Sequence, residues 1–529
     1  MDPLGSGDAG RLSARAASTD DDEQCVVRFM GSDVTTTSFA MYTTSAAVLV
    51  QAITLICFSS FADYGNYFFL AFANTLYTYA NTNSFLGPYR KRLLLTFAYT
   101  GATVCSLFLF LTSRVYFLAP FLVIISVTCL GSGFSLLNAF LPLLVANDPS
   151  SHKQPLSDSS SDYELDTLDA PPEPISDPQK LTQDLERSSK ISSKGVGLGY
   201  ASAVGFQIFS IGIIILFDRL GLSKGNPTLP MRVTLFLVAI WWILFTLPTH
   251  LWLRPRPGPP LPRQNSNTRG AASTGPSGNL LFYLAFSFKS FFRTLKHASR
   301  LPQTIKFLLA WFLLSDAVST ISSTAILFAR TELHLSTIPL VLLSLTSIFS
   351  SMLGAFAWPR LASRFSLPPK SVLIACIAGL ELIPLYGLLG YIPFIQRLGI
   401  GGIQRPWEIY PVGVLHGLVM GGISSYARSV YAPLVPEGRE AAFFALYAVT
   451  DKGSSAVGPA LVGGIVDRVG SIRPAFLFLA VLVLVPGPVL WWVEMERGRE
   501  EARGLGDGMD GGRVGRGGYA RVGDEERED

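Results

Sequence analysis

The chain has 529 residues, of which 49% are hydrophobic, 12% aromatic and only 15% charged, with a formal net charge of +4. Soluble globular proteins carry roughly 25% charged residues, so this composition excludes an ordinary soluble protein, and the small, dispersed positive charge excludes a basic nucleic-acid-binding face. The mean hydropathy of +0.38 is that of a polytopic membrane protein whose charges crowd into loops and tails.

Residues 1–37 are polar and acidic, lack the apolar core of a signal peptide and are expected to be disordered. After them, apolar runs mark candidate helices, because about 20 residues at 1.5 Å each cross the hydrocarbon core of a bilayer. The first covers 38–62. Residues 61–92, "FADYGNYFFLAFANTLYTYANTNSFLGPYRKR", are harder to read. Their ends, Asp63-Tyr64-Gly65 and Tyr89-Arg90-Lys91-Arg92, look like halves of one short charged turn, split by the aromatic- and Asn-rich stretch 66–87. Three readings stand side by side. The stretch is a loop excursion, which costs only logarithmically in length; a weak span, against which Asn66, Asn74, Asn81 and Asn83 argue; or a translated intron.

Runs at 93–112, 116–145, 195–217 and 231–253 complete a first group of five. The Ser-, Pro- and acid-rich stretch 147–193 inside it is expected to be disordered. A Pro/Gly/Ser linker follows from 254, and at 279–300 Lys289, Arg293, Lys296 and Arg300 fall at helical spacing, as in an amphipathic interfacial helix. Six runs come next, at 304–330, 335–358, 370–394, 408–434, 440–466 and 474–493; the charged, Gly-rich tail 494–529 is expected to be disordered. The expected organisation is therefore a helix bundle over 38–253, a linker over 254–303 and a six-helix bundle over 304–493.

Lys and Arg in short loops mark the cytosolic face. Arg90-Lys91-Arg92, Arg254/Arg256/Arg263 and Arg360/Arg364/Lys370 are mutually consistent with that rule, each pair of loops enclosing an even number of spans. Two pseudo-symmetric helical bundles joined by a long cytosolic loop resemble the major facilitator fold. The expected class is an all-α polytopic membrane protein with about 11 spans, its first half one helix short, and the missing helix expected before residue 38.

Charges inside spans cost about 2.5–3.5 kcal/mol on insertion scales and need a reason. Asp451 and Lys452 lie deep in 440–466, Asp316 and Glu381 deep in their own spans, and Arg428 near the cytosolic end of 408–434. In a central polar cavity, Arg428 or Lys452 would meet a substrate carboxylate, and Asp451 or Asp316 its ammonium; a carboxylate in low-dielectric surroundings can also carry a proton. The alternative is a purely structural network of paired charges. Ser424 and Tyr426, within "GLVMGGISSYARS", could line the same cavity, although small residues usually mark close helix approach. "GVGLGYASAVG" (195–205) is read as helix packing, because it lacks the Lys and the preceding strand of a phosphate loop. His416 is read as a core residue. Cys25, Cys57, Cys105, Cys129 and Cys376 are scattered, without CxxC, and read as thiols rather than disulfides. Neither a metal-ligand spacing nor a Ser/His/Asp signature appears, so neither enzyme activity nor a cofactor is expected.

The stretch 426–476, "YARSVYAPLVPEGREAAFFALYAVTDKGSSAVGPALVGGIVDRVGSIRPAF", resembles the autophagy-related protein 22 family, fungal vacuolar effluxers of the major facilitator superfamily. "FSLLNAFLPLLVANDP", "KISSKGVGLGY" and "WFLLSDAVSTISSTAILFARTELHLST" are similar to the same family. The likeness covers roughly 38–65 and 88–495. It implies a multi-pass vacuolar membrane transporter, acting as a monomer, that exports amino acids, leucine and other neutral ones included, from lumen to cytosol after autophagic breakdown, with protons as a coupling partner. It also implies a gate turn in which Asp63 meets Arg90 and Arg92. Two departures stand out: the family's first membrane helix has no counterpart, and 66–87 interrupt the gate turn. A non-transporting nutrient sensor on the same scaffold, and an inactive product of a flawed gene model, are the competing readings.

Overall fold

The computed structural model describes residues 26–29, 32–62, 89–112, 115–147, 178–222, 226, 228–253, 276–454, 457–469 and 472–510. Asp63 and the stretch 66–87 lie outside them. The first half holds α1 (Thr36–Ala62), α2 (Tyr89–Ser106), α3 (Ala119–Asn138) with the short α4 (Leu141–Ala146), α5 (Pro178–Arg219) and α6 (Leu229–Trp252). Helix α7 (Pro276–Ala298) leads into the second half. That half consists of α8 (Pro302–Thr331), α9 (Thr337–Arg364), α10 (Pro369–Leu389), the short α11 (Pro393–Leu398) and α12 (Ile409–Tyr431), then the pair α13 (Glu440–Ser454) and α14 (Val457–Val469), and the pair α15 (Ala475–Leu484) and α16 (Pro486–Trp491). Helix α17 (Met495–Asp510) follows.

Seven helical runs among the described residues are long and apolar enough to cross a membrane: Arg90–Phe110, Tyr116–Ala146, Leu181–Arg219, Leu229–Trp252, Pro302–Thr331, Ile338–Arg364 and Pro369–Leu389. Helix α1 lies beside them with the shorter apolar core Tyr42–Phe58. A bend of 69° separates Ala475–Trp491 from Met495–Leu505. The charges of α17 (MERGREEARGLGDGMD) exclude it from hydrocarbon, so any span there consists of α15 and α16. Proline starts several helices where its missing N–H costs nothing, as at Pro302 and Pro369. Large apolar side chains cover the flanks, among them Phe110, Phe209, Leu244 and Trp252, as a lipid-facing surface requires.

Within the first half, α3 packs on α1 and α2, and α2 packs on α6. The two halves meet where α5 lies against α9 and α12, and where α13 lies against α1 and α3. The closest pairing, α9 with α12, depends on glycine. A Cβ on Gly417 would meet the Ser347 carbonyl, one on Gly421 the Ser351 carbonyl, and one on Gly354 the Leu418 carbonyl. Only hydrogen lets these backbones approach, as in small-residue membrane packing. Lys370 donates to the Trp491 and Val493 carbonyls at 2.9 and 2.7 Å, and Lys306 to the Trp492 carbonyl at 3.5 Å. The starts of α8 and α10 and the end of α16 therefore share one end of the bundle, which also carries Arg90 and Arg364.

Three expectations need correction. Residues 26–35, expected to be disordered, hold an antiparallel hairpin, Val26–Phe29 paired with Ser32–Thr35. The stretch 147–193 is helical from Pro178, because Leu181, Leu185, Ser188, Ser189 and Ser192 share a buried face despite the polar composition. At 42 residues, α5 is about 63 Å long, twice the hydrocarbon thickness, so its first turns project beyond the membrane. The tail from 495 likewise folds into α17, with Ala502 buried and Gly498 against Leu434 and Gln303. The expected run 440–466 is described as α13 and α14, with residues 455 and 456 between them outside the described residues.

Candidate functional site

Helix α13 ends and α14 begins within "KGSSAVGPALVGG", on either side of residues 455 and 456. Inside a helix Pro459 would remove a donor and crowd the preceding turn. Pro459 instead sits in the first turn of α14, where it fits. A helix start inside a membrane leaves backbone N–H groups to be satisfied. Asp316 of α8 supplies a partner, its Oδ1 accepting from the Gly458 N–H at 3.0 Å. Gly458 has to be glycine, since a Cβ would run into Thr320 Oγ1.

Next to this cap, the Ser315 hydroxyl lies 2.7 Å from Asp451 Oδ1 and 2.9 Å from the Asp451 carbonyl oxygen, and it donates to both acceptors. Asp451 Oδ2 lies 3.3 Å from Lys452 Nζ. Asp316 is 14 residues from the start of α8 at Pro302, and Asp451 is 11 residues from the start of α13 at Glu440. At 1.5 Å per residue these depths are about 21 and 17 Å, so both carboxylates lie near mid-bundle. Exposure is graded: Asp316 is 5% exposed, the Asp451 side chain 26% and the Lys452 side chain 47%. On the side toward Glu440, Trp311 stacks on Tyr447 at 4.7 Å, Tyr447 on Tyr431 at 5.2 Å, and Tyr431 on Phe307 at 5.3 Å. These rings form a rigid apolar floor under the charges.

Two carboxylates and one ammonium, held at depth with accessible surface, can receive a small zwitterion. The Lys452 ammonium can face its carboxylate, and the Asp451 carboxylate its amino group. Among the described residues, no group of three or more His, Cys, Asp or Glu could hold a metal.

The other sequence candidates lie elsewhere. Arg428 bridges the halves near the basic end, donating from Nε to Ser192 Oγ at 2.9 Å and from Nη1 to Asn138 Oδ1 at 2.7 Å, with its guanidinium over the Phe134 ring. Ser424 meets the Tyr200 hydroxyl across the same seam at 3.2 Å. Tyr426 is buried. Glu381 stands on α10, with Oε2 buried and lacking a hydrogen-bond partner. Arg90 pairs with Glu440 at 3.0 Å and donates to the Ala139 carbonyl at 3.2 Å; Arg92 lies in the same first turn of α2. Thus Asp316, Asp451 and Lys452 come together, whereas Arg428, Ser424 and Arg90 belong to a seam that also includes Ser189–Ser429 and Ser192 to the Ser425 carbonyl. His416, read as core, ties three helices, with Ser322 at Nε2 (3.3 Å) and Ser347 at Nδ1 (3.2 Å). Ser315, Asn138, Ser192 and Glu440 were not singled out in the sequence. All four could have been found, since each falls in a segment that shares the family likeness.

The family model described as "Vacuole effluxer Atg22 like" matches residues 6–503. Autophagy-related protein 22-1 of Phaeosphaeria nodorum is 57% identical over 505 residues, covering 95% of this chain and 83% of that one. Autophagy-related protein 22-2 of Emericella nidulans is 47% identical over 504 residues, covering 91% and 81%. Among solved structures, a bacterial homologue of the iron transporter ferroportin in its outward-facing state aligns with a TM-score of 0.50 at 11% identity, covering 86% of this chain and 90% of that one. That likeness concerns the fold alone.

Proposed function

The chain belongs to the family of Atg22-like vacuole effluxers, multi-pass membrane transporters of the major facilitator fold, and from that premise we propose that it exports amino acids from the vacuole lumen to the cytosol. Leucine and other neutral amino acids released by autophagic breakdown are the proposed cargo, and the vacuole membrane is the proposed location. The observation that carries the substrate class is the mid-bundle cluster of Asp316, Asp451 and Lys452 where α8 meets α13 and α14. A neutral amino acid presents one carboxylate and one ammonium. Lys452 receives the first; Asp451, backed by Ser315 and Asp316, receives the second. The bound zwitterion thereby exchanges partners with the Asp451–Lys452 pair, so that neither charge of that pair stands alone at a depth where that is costly. Asp316 is the proposed proton carrier, and the monomer is the proposed working unit.

The positive-inside rule puts the Arg90 end in the cytosol. Arg90–Glu440, Arg428–Asn138 and Ser189–Ser429 then close the cytosolic side of the seam. Alternating access requires these bonds to break and the two halves to rock about the site. The test is amino-acid efflux from isolated vacuoles bearing Asp451→Asn, Lys452→Met or Asp316→Asn at matched abundance. Each is expected to reduce efflux at least tenfold while the protein still reaches the membrane, a loss of about 1.4 kcal/mol. Normal flux in all three would leave the cluster a purely structural role.

A further inference from the structure

We propose that α7 is a docking surface for anionic phospholipid headgroups on the leaflet at the Arg90 end. The helix has three faces. At 100° per residue, Ser287, Ser290, Phe291, Thr294 and Ala298 fall on one side and are buried against the bundle. Phe288, Phe292 and Leu295 fall within about 60° of one another on a second side, and all three are exposed. Lys289, Arg293 and Lys296 fall within about 60° on a third side and are exposed too, and exposed Arg300 follows in the turn after Ala298.

The protein-facing side is thus mostly small and hydroxyl-bearing, while two Phe and a Leu point outward. A helix docked only on its own protein would turn them inward. An apolar stripe beside a basic stripe is what a bilayer interface accepts, acyl chains taking the first and phosphates the second. The position fits as well, since α7 ends at Ala298 and α8 enters the bundle at Pro302.

The positive field extends beyond one helix. The half-buried His297 imidazole is held below its ordinary range by burial first, then by Arg439, Arg300, Arg293 and Lys296. Arg439 belongs to the loop before α13, so cations from two elements converge on this edge. Because α7 packs on α1 of one half and on α8 and α13 of the other, a lipid bound there bears on the seam between them.

The test uses the full chain in vesicles, with Cys25 replaced by Ser and a nitroxide at Phe292→Cys or Lys296→Cys. The vesicles are phosphatidylcholine alone or mixed with phosphatidylserine. In the mixed vesicles, the label at 292 is expected to collide with oxygen more than with a nickel chelate, and the label at 296 to do the reverse. Replacing Lys289, Arg293 and Arg300 by Gln should lower the immersed fraction at 292, by roughly fivefold in the immersed-to-detached ratio per charge. If that variant does not fold, salt added to the parent chain should produce the same loss by screening. A label at 292 equally nickel-accessible in both vesicle types overturns the proposal. So does a label shielded from both probes in every vesicle, which would mean that a protein covers the face. Neither reading depends on transport.

Discussion

Removing the Arg90–Glu440 pair should open the end of the molecule that it closes. The pair joins the first turn of α2 to the first turn of α13 across the seam, at 3.0 Å, with side-chain exposures of 13% and 4%. Glu440 Oε1 also accepts from the Gly438 N–H at 3.0 Å, which fixes the carboxylate. Desolvating both charges offsets much of their attraction, so the intact pair adds little net stability, but isolating one buried charge costs about 3 kcal/mol. Glu440→Gln or Arg90→Gln should therefore move the closed-to-open ratio by roughly 150-fold, provided the open state lets the orphaned charge reach water. The double variant leaves two neutral amides and should fall well short of the sum. Distances between spin labels at Leu144 and Ser363, both exposed near this end, read the two states by pulsed resonance. Additive effects of the two single changes, or an unchanged distance distribution in both, would refute the coupling.

Gly421→Leu places a side chain against the Ser351 carbonyl and the Ala355 backbone; a loss of about 3 kcal/mol or more is expected, seen as a lowered Tm in detergent. A deletion of 152–177, which spares α5, should still reach the membrane, whereas one of 152–186 removes the buried Leu181 and Leu185 and the Asp184–Arg499 pair and should be retained in the endoplasmic reticulum. His297 titrates below its ordinary value in the folded chain, so the unfolded chain takes up its proton first as pH falls. Its stabilising effect is present above about pH 6.5 and is lost below it. The drop in Tm between neutral and mildly acid buffer should accordingly shrink in His297→Asn.

Most helices could be located from hydropathy alone, because a membrane span must carry a long apolar run whatever its neighbours are. What escaped depends on tertiary contact. The projecting turns of α5 are polar in composition, and their few apolar residues, Leu181 and Leu185, acquire meaning only beside Ala432 and Val435. The same holds for α17, whose one small buried residue, Ala502, is lost among charges. Depth in the span singled out Asp316, Asp451 and Lys452 together with Glu381; only the fold separates them, by putting Glu381 on α10 and the other three around one helix start. Arg428 looked equally suited to a substrate until the fold placed it in the seam, with Nε donating to Ser192 and Nη1 to Asn138.

Counterflow in proteoliposomes bears most directly on amino-acid transport through the Asp316–Asp451–Lys452 cluster. Vesicles holding the purified chain and preloaded with unlabelled leucine are expected to accumulate radiolabelled leucine, and vesicles holding Lys452→Met to accumulate little. If a chain that is monodisperse and fully helical accumulates neither leucine nor any other neutral amino acid, the transport site has been assigned to the wrong chemistry.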